Sequence, residues 1–380
     1  MSVINPNPEQ NPNPEQDTNQ DSKESVNEKV QGLASNEETD LSLKRDVGQS
    51  YWSLVKHQYK KNKIAVVAFY VVLFLIFIAV FADLLANNKP IYAKYKGEIY
   101  FPVFKEYLVG LGISKWEPEF LNVDWKTLDY ESAVWPPVKF YYSDVDLFNN
   151  LASPSVENGH YLGTDQIGRD ILSGLIHGSR ISLSVGFVAA GISVLIGIIL
   201  GALAGYYGGN VDIVIMRFIE IMTLFPSFFL IITIVALYGS SIWFIMAAIG
   251  LTFWTGDARL TRGEVLKVRN MDYIAAATSL GLKNRRIIFR HVLPNALAPV
   301  LVSAPFEVAG AILTEAGLSF LGFGVAATTV TWGSLLNEAR GATSSWWLAI
   351  FPGFMIFLTI VAYNLVGEGL RDALDPRLRD

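Results

Sequence analysis

The fold is decided by the stretch IAVVAFYVVLFLIFIAVFA, residues 64–82, which runs for 19 residues without a charged side chain. An α-helix needs ~20 apolar residues to cross the ~30 Å hydrocarbon core of a bilayer. The lysines Lys56, Lys60, Lys61 and Lys63 precede this stretch. Because positive residues that flank a first span stay in the cytoplasm, the sequence predicts a membrane-spanning helix whose N-terminal end faces the cytoplasm.

The composition of the whole chain is typical of a membrane protein. Of its 380 residues, 51% are hydrophobic, 17% are charged and none is cysteine. The lack of cysteine excludes disulfides, thiolate metal sites and cysteine nucleophiles. The net charge of -5 says little about partners, because the sign of the charge varies from segment to segment.

The first 50 residues are polar and open with the repeat NPNPEQ, at 5–10 and again at 11–16. Such a composition buries too little apolar surface to offset the entropy of ordering, and it lacks the basic and apolar regions of a secretory signal. We therefore expect residues 1–50 to form a disordered cytoplasmic tail. Residues 51–86 are expected to hold a juxtamembrane segment and the first transmembrane helix.

Five further spans are predicted after a polar insert. Residues 221–256 contain no charge, but these 36 residues are too many for one span, and the turn YGSS at 238–241 divides them into a hairpin. The predicted spans are 181–211, 211–237, 242–260, 294–317 and 346–367. The sequence thus predicts an all-α integral membrane protein with six transmembrane helices, a core at 181–368 and a cytoplasmic tail at 369–380.

The polar insert, residues 87–180, is placed outside the cytoplasm by this topology. Because it is too long for a bare loop, we expect a small extracytoplasmic cap with short strands around 95–104 and 137–143. Its aromatic residues, among them Trp116 and Trp125, are expected to pack inside this cap. Contact with a substrate or a partner protein is the alternative.

A polar and basic segment, YIAAATSLGLKNRRIIFRHVLPN at residues 273–295, interrupts the apolar runs. It contains three consecutive small residues, which are Ala275, Ala276 and Ala277. These alanines let another surface approach closely, Gly281 suits the left-handed turn that ends a short helix, and Pro294 suits the first turn of the next helix. The segment is therefore predicted to dock another protein.

The charge around this segment supports a cytoplasmic position. Residues 256–291 contain eight Lys or Arg and three Asp or Glu, and Arg371, Arg377 and Arg379 lie near the C-terminus. The positive-inside rule then puts a loop at 257–293 and both chain ends in the cytoplasm.

Two other sets of residues are candidates for a function in the membrane. A stripe of small residues on the second span is expected to allow close helix packing; it consists of Gly197, Gly201 and Gly205. Three ionisable residues lie in predicted spans. Glu220 is expected to pair with Arg217 one turn away, with a role in gating as the alternative. Glu307 has no local partner and is expected to face a cavity or another subunit. Glu315 lies nearer the outer end and is expected to be hydrated.

The sequence contains no motif that indicates an enzyme. A phosphate-binding loop needs a Gly-Lys pair, and the sequence contains none, so no ATP or Mg²⁺ site and no other cofactor site is expected in this chain. The histidines are His57, His160, His177 and His291, and their spacing matches no metal-binding pattern. No catalytic residue and no metal site are therefore predicted.

Six strings, taken in this order, resemble the C-type permease of the dipeptide, oligopeptide and nickel family of ABC importers. They are LGTDQIGRDILSGLIHGSRISLSVG (162–186), GYYGGNVDIVIMR (205–217), FPSFFL (225–230), IIFRHVLPNALAPVL (287–301), ILTEAGLSFLGFG (312–324) and GEGLRDALDPRLRD (367–380). The segment at 273–295 resembles the cytoplasmic loop by which such permeases grip their ATPase. The start of the insert, residues 86–107, is similar to the branch that takes up microcin C and related peptides.

The resemblance implies the type I importer permease fold in a bacterial inner membrane. It also implies a B-type permease as heterodimer partner, two cytoplasmic ABC ATPases that carry ATP and Mg²⁺, and an extracytoplasmic substrate-binding protein. Besides these partners only the lipid bilayer is expected, and no nucleic acid. The implied function is uptake of oligopeptides or dipeptides along a path between the two permeases, driven through the loop around residues 275–281.

The chain departs from this family pattern at Ala275, where the loop usually begins with glutamate. A charge contact with the ATPase would then have to come from Arg285, Arg286 and Arg290, which equally suit anionic lipid headgroups. Uptake of nickel complexes or another small solute remains an alternative function. A passive channel and a membrane-anchored scaffold are alternatives from other classes.

Overall fold

A computed structural model describes residues 51–121, 123–326 and 328–374. The expected N-terminal tail and residues 375–380 lie outside the described residues. The chain divides into two units, residues 1–57 and residues 58–380. Every site discussed below lies in the second unit.

Five long helices dominate the fold; they are α2 (Lys63–Val80), α5 (Ile171–Tyr207), α8 (Ile242–Arg269), α12 (Ala298–Phe320) and α14 (Trp347–Leu374). The shorter helices are α1 (Tyr51–Lys61), α3 (Ala82–Leu85), α4 (Pro102–Gly110), α6 (Gly209–Leu224), α7 (Ser227–Tyr238), α9 (Asp272–Ser279), α10 (Asn284–Ile287), α11 (Leu293–Ala296) and α13 (Trp332–Glu338). A π-helical turn at Ile288–Val292 joins α10 to α11.

Within the described residues, four helices are long and apolar enough to cross a membrane: α2, α5, α12 and α14. A fifth span is counted if α6 and α7 form one broken span. Helix α8 has 28 residues, but only its first half is apolar; from Asp257 onward it carries six charged residues. A count of six spans therefore depends on the apolar half of α8.

The segment expected to form the third span, 211–237, is divided into two helices. The chain bends by 83° between α6 and α7. Phe225 and Pro226 are both extended at this point, with ψ angles of 125° and 119°. A residue before proline avoids the helical region because its backbone clashes with the proline ring, so the break lies where the sequence FPS dictates it.

The boundary between insert and core at residue 181 is also wrong. Helix α5 begins at Ile171, where the Asp170 side chain caps it by accepting a hydrogen bond from the Ser173 backbone N–H at 2.7 Å. Its first turns contain the polar residues His177 and Arg180, so hydropathy alone does not reveal them. Ile171 and Leu175, in its first two turns, are buried among the long helices, so this part of the helix belongs to the core.

The insert contains a small antiparallel sheet of order β2-β1-β3, with β1 at Tyr92–Tyr95, β2 at Glu98–Tyr100 and β3 at Ser132–Val134. The first predicted strand region is correct only up to residue 100, since the chain is helical from Pro102. The second, at 137–143, is wrong. Pro136 and Pro137 lack the N–H groups a sheet needs, so the strand ends before them.

The aromatic residues of the insert pack on one another. The rings of Phe120 and Trp125 stack with their centroids 4.9 Å apart, and Trp116 lies 5.3 Å from Trp125. Trp125 and Phe120 are both buried. These contacts support the interpretation that the aromatics stabilise the cap itself.

Two apolar cores hold the long helices together. The larger lies between α2, α5, α12, α13 and α14, and the other joins α5, α7, α8 and α12. Trp332 is fully buried in the larger core, and its indole N–H donates a hydrogen bond to the Leu175 carbonyl at 3.0 Å. Helix α5 contributes to both cores and is the central helix of the fold.

Candidate functional site

Helix α9 ends in a Schellman motif built on Gly281. The Gly281 N–H donates to the Thr278 carbonyl at 2.9 Å, and the Leu282 N–H donates to the Ala277 carbonyl at 3.2 Å. Gly281 has a φ of +73°, in the left-handed region that glycine adopts without strain. A Cβ at this position would meet nothing within 4 Å, so backbone conformation and not space requires the glycine.

The inner face of α9 is fixed to the end of α8. Ile274 and Ala277 lie in an apolar cluster with Val265 and Val268 of α8 and with Ile287. Because protein interiors are close-packed, a displacement of α9 is transmitted to α8. Residues 257–269, assigned to a loop because of their charges, are helical and form the last turns of α8.

The outer face of α9 consists of Tyr273, Ala276 and Leu280, at spacings i, i+3 and i+7. All three are exposed, and Leu280 is 81% exposed. Ala275 is exposed beside them. Ala277, in contrast, is buried in the chain's own core, so only two of the three alanines are available to a partner.

The basic part of the segment is exposed as well. Arg285, Arg286 and Arg290 are exposed and form no ion pair with any described residue. Pro294 lies in the first turn of α11, directly after the π-helical turn. Proline has no N–H to continue a helical ladder, and the wider π turn accommodates this interruption.

The glycine stripe of α5 lies against α8. A Cβ on Gly197 would come within 2.3 Å of Asp257 Cβ, and one on Gly201 within 2.4 Å of the Ala258 carbonyl oxygen. A Cβ on Gly205 would lie 2.8 Å from the carbonyl oxygen of Arg262. The two helices therefore approach so closely that no side chain fits between them at these positions.

This close contact buries a polar group that sequence reasoning missed. Asp257 is 2% exposed, and its carboxylate accepts a hydrogen bond from the Ser193 hydroxyl at 2.9 Å. It was overlooked because residue 257 was assigned to the cytoplasmic loop. The signal was present: Ser193 lies one turn before Gly197 on the same face of α5, which is the face that meets α8.

The three glutamates in or near the spans have different surroundings. Glu220 pairs with Arg217 at 2.6 Å, and both side chains are exposed. Glu307 is half-buried on α12, has no hydrogen bond or ion pair with a described residue, and lies within electrostatic range of Asp257.

The expected hydration of Glu315 is wrong. Its side chain is fully buried, and Gly333 at the start of α13 packs against the neighbouring Ala316. The Ser319 hydroxyl donates a hydrogen bond to one of its oxygens at 2.6 Å, and the other oxygen has no partner among the described residues.

A polar cavity of about 240 Å³ lies at the N-terminal end of α5 and the C-terminal end of α12. Arg169, on its wall, bonds Asp165 through Nε at 2.5 Å and Glu338 through Nη2 at 3.1 Å. Asp170 also lines the cavity and pairs with the buried His160 at 2.9 Å. The carboxylates of Asp165 and Glu338 thus share the single arginine Arg169. With Asp170 also on the wall, the wall carries a net negative charge. Sequence reasoning missed these residues, because Asp165 and Arg169 precede α5 and an i, i+4 spacing indicates a pair only within a helix.

The insert is tied to the membrane part through Asp83, which directly follows Ala82 at the start of α3. Its carboxylate accepts hydrogen bonds from Arg180 Nη2 at 2.9 Å and from the Tyr107 hydroxyl of α4. Burial opposes ionisation of this carboxyl group, but the bonds from Tyr107 and Arg180 outweigh burial and lower the pKa of Asp83 below its usual value of 3.8. His177 Nδ1 lies 3.8 Å away on the same side.

Strong acid is therefore expected to loosen the insert. A carboxyl group whose pKa is lowered by folding contributes stability above its unfolded pKa and loses it as the pH falls through its folded pKa. The contribution of Asp83 is thus complete at neutral pH and disappears below pH 3.8. Hydrogen exchange in residues 98–121 measures this loss. In an Asp83→Asn variant, hydrogen exchange in this segment should be faster than in the wild type already at neutral pH. Equal protection of variant and wild type at neutral pH would contradict the stabilising role of Asp83.

Within the described residues, no group of three or more His, Asp or Glu side chains is placed to hold a metal ion. The candidate features are an exposed helix face anchored on α8, a close α5–α8 contact with a buried carboxylate, and a polar cavity at the N-terminal end of α5. Such an arrangement suits docking and transmission of movement.

Comparison with known proteins identifies the family. The family described as binding-protein-dependent transport system inner membrane component matches residues 197–380, and the N-terminal TM domain of oligopeptide transport permease C matches residues 50–101. The oligopeptide transport system permease protein OppC of Haemophilus influenzae is 46% identical over 63% of this chain and 78% of its own length. The dipeptide transport system permease protein DppC of Alkalihalophilus pseudofirmus is 36% identical over 87% of this chain and 91% of its own length.

A third relative, the inner membrane ABC transporter permease protein YejE of Escherichia coli, is 32% identical over 88% of this chain and 99% of its own length. Among solved structures, a chain of the inward-facing MetNI methionine ABC transporter aligns with 54% of this chain and 98% of its own length, with a TM-score of 0.46 and 15% identity. The sequence matches confirm the expected class, a helical membrane subunit of a transporter and not an enzyme. The chain belongs to the family of binding-protein-dependent transport system inner membrane components, among the C-type permeases.

Proposed function

We propose that this chain forms, with a B-type permease, the translocation path of an ATP-driven importer of oligopeptides or dipeptides. The observation that carries the proposal is the outer face of α9, which is exposed, apolar and fixed to α8 in a chain that has no nucleotide-binding motif. The peptide substrate is supported by the relatives, which are named as oligopeptide and dipeptide permeases.

The topology that fits this function has six spans. The apolar first half of α8 serves as the fourth span, and the bent pair α6 and α7 serves as the third. Both chain ends and α9 then lie on the cytoplasmic side, where the ATPases bind ATP, and the insert lies outside. The excess of lysine and arginine in residues 256–291 supports this orientation.

Coupling would run from α9 into α8 and from α8 into α5. ATPase closure displaces α9, the apolar cluster around Ala277 carries the displacement to Val265 and Val268, and α8 takes α5 with it through the close contact at the glycine stripe. Side chains do not separate the two helices there, so they move as one body. In physical terms the nucleotide selects between two arrangements of one packed element.

The path itself would pass the outer polar cavity and Glu307. The cavity wall carries Asp165, Arg169 and Glu338, whose net negative charge favours the cationic end of a peptide. Glu307 is unpaired and half-buried at membrane depth, where a charge without a partner is costly. Because no described residue pairs with Glu307, its partner would be a cationic group of the substrate, which is present only during transport.

The turn at Gly281 gives a specific prediction. A β-branched residue is strongly disfavoured at φ +73°, and a left-handed conformation costs L-residues ~1–2 kcal/mol. Gly281→Val is expected to distort the end of α9 and reduce uptake about tenfold, whereas Gly281→Asn, which tolerates this conformation, should stay within about twofold of wild type. Uptake is measured per molecule of chain inserted in the membrane. Equal uptake by the two variants would show that the turn has no part in coupling.

The proposed function is tested with the complex reconstituted in vesicles. The chain, its neighbouring permease and the ATPases are inserted, and the binding protein is added on one side with a labelled tripeptide. Accumulation that requires both ATP and the binding protein is expected. Flux without ATP would indicate a channel, and accumulation of nickel complexes but not of peptide would assign the chain to the alternative substrate class.

A further inference from the structure

Helix α4 of the insert has its apolar side turned outward. Its exposed residues Phe104, Tyr107, Leu108 and Leu111 follow the spacing i, i+3, i+4 and i+7, so they form one stripe. Leu111 is 73% exposed. A helix on a water-facing domain normally buries such a stripe, and this one does not.

The charged residues of the same helix point the other way. Lys105 pairs with Glu117, and Glu106 pairs with Lys89, so both form ion pairs within the insert. The Lys105 ammonium also lies 5.7 Å from the ring of Trp116. The side of α4 that packs on the insert thus carries these ion pairs together with the buried Pro102 and Val103, and the rings and methyl groups of the stripe lie on the opposite side.

One hydrogen bond and the chain connection place α4 at the outer end of the first span. The Tyr107 hydroxyl bonds Asp83 of α3, and α3 begins two residues after the end of α2 at Val80. On α2, Phe77, Val80 and Phe81 are exposed at this same end. The stripe therefore continues an apolar surface that begins on a membrane-spanning helix.

The chemistry of this surface fits lipid better than protein. Helix interfaces in membranes are rich in small residues that let backbones approach. On α2 the small residues Ala65, Ala68 and Ala79 face inward, and large apolar residues face outward. The stripe of α4 is likewise made of large residues, and its one polar atom, the Tyr107 hydroxyl, is bonded to Asp83.

We propose that α4 is an interfacial membrane anchor, which lies along the outer surface of the bilayer with Phe104, Leu108 and Leu111 among the lipid acyl chains. An amphipathic helix binds a membrane in this way by burying its apolar face at the boundary between headgroups and acyl chains. Tyr107, apolar at its ring and polar at its tip, suits the interface. The anchor fixes the height and orientation of the insert above the membrane, and it rests only on the position of α2 in the membrane, whatever the substrate.

The lack of cysteine allows a direct test. Single cysteines at Leu108 and at Leu111 are labelled with an environment-sensitive fluorophore in the full chain, reconstituted in vesicles of phosphatidylethanolamine and phosphatidylglycerol. Leu73→Cys on the exposed side of α2 is the lipid reference. Val156→Cys, 79% exposed on the insert, is the water reference. Quenching is measured with lipids that carry a spin label on the acyl chain near the glycerol, and separately with aqueous iodide.

The spin-labelled lipid is expected to remove about half or more of the fluorescence at Leu108 and Leu111, as at Leu73, and to leave Val156 nearly unchanged. Aqueous iodide is expected to quench the fluorophore at Val156 strongly and to leave those at Leu108, Leu111 and Leu73 nearly unchanged. Quenching of Leu108 and Leu111 by iodide to the level of Val156 would overturn the proposal. Protection from both quenchers would also overturn it, since it would show that protein covers the stripe. The lipid quenching must persist after assembly with the neighbouring permease.

Discussion

Replacing Leu280 by aspartate is expected to abolish ATPase binding and uptake while the chain remains folded in the membrane. Leu280 is 81% exposed, so it contributes little to the stability of the chain itself. If a partner covers it, the buried leucine contributes ~1.5–3 kcal/mol, and its loss weakens binding about 10- to 100-fold. A carboxylate in the same contact costs more, because it must be desolvated without a partner.

This experiment compares two equally exposed apolar residues. Val156 is 79% exposed on the insert, far from α9 in the chain, and Val156→Asp carries the same new charge. The amount of ATPase that copurifies with the detergent-extracted complex should fall for Leu280→Asp and stay at the wild-type level for Val156→Asp. Normal copurification and uptake with aspartate at 280 would show that the outer face of α9 is not a docking surface.

Replacing Gly201 by leucine is expected to prevent the chain from folding stably. A Cβ at this position already falls 2.4 Å from the Ala258 carbonyl oxygen and 2.7 Å from Thr261 Cβ. Backbone atoms cannot rotate away as a side chain can, so α5 and α8 must separate. Overpacking of this kind costs ~1–3 kcal/mol for flexible surroundings and more when backbone is in the way.

The control for this substitution lies in the same helix. Gly191 of α5 meets nothing within 4 Å of a Cβ, so Gly191→Leu adds the same side chain without a clash. The fraction of monodisperse protein left after heating in detergent should fall sharply for Gly201→Leu and stay close to wild type for Gly191→Leu. Equal losses would show that leucine disturbs α5 in general and that the stripe has no special packing role.

The sequence predicts the long apolar helices well, because hydropathy reports directly on burial in lipid. The same signal fails where polar residues lie on a helix that leaves the membrane. For this reason the start of α5 before Arg180 was assigned to the insert, and the end of α8 after Asp257 was assigned to the cytoplasmic loop. Charged residues end the part of a helix that can lie in lipid, but the helix itself can continue beyond them, as α8 does.

In the candidate site, too, features set by local sequence were predicted and features set by distant packing were not. Gly281 was predicted to end a short helix, and it does so through backbone geometry, which is a local property of the sequence. The burial of Ala277 and of Glu315 depends on which distant segments pack against them, and a single sequence carries no record of those contacts. The contact between Ser193 and Asp257, 64 residues apart, follows only once α5 is known to pack on α8, although Ser193 lies on the glycine face of α5.

The most direct test of the coupling account is a photo-cross-linking residue at Ala276, on the outer face of α9, in the intact complex. Ala276 is exposed and small, so the probe disturbs neither the fold nor the inner face around Ala277. If the outer face of α9 docks the ATPase, illumination joins the chain to an ATPase subunit, and the cross-linking yield changes when ATP is bound. A chain that transports normally but cross-links only to lipid or to the second permease would contradict it.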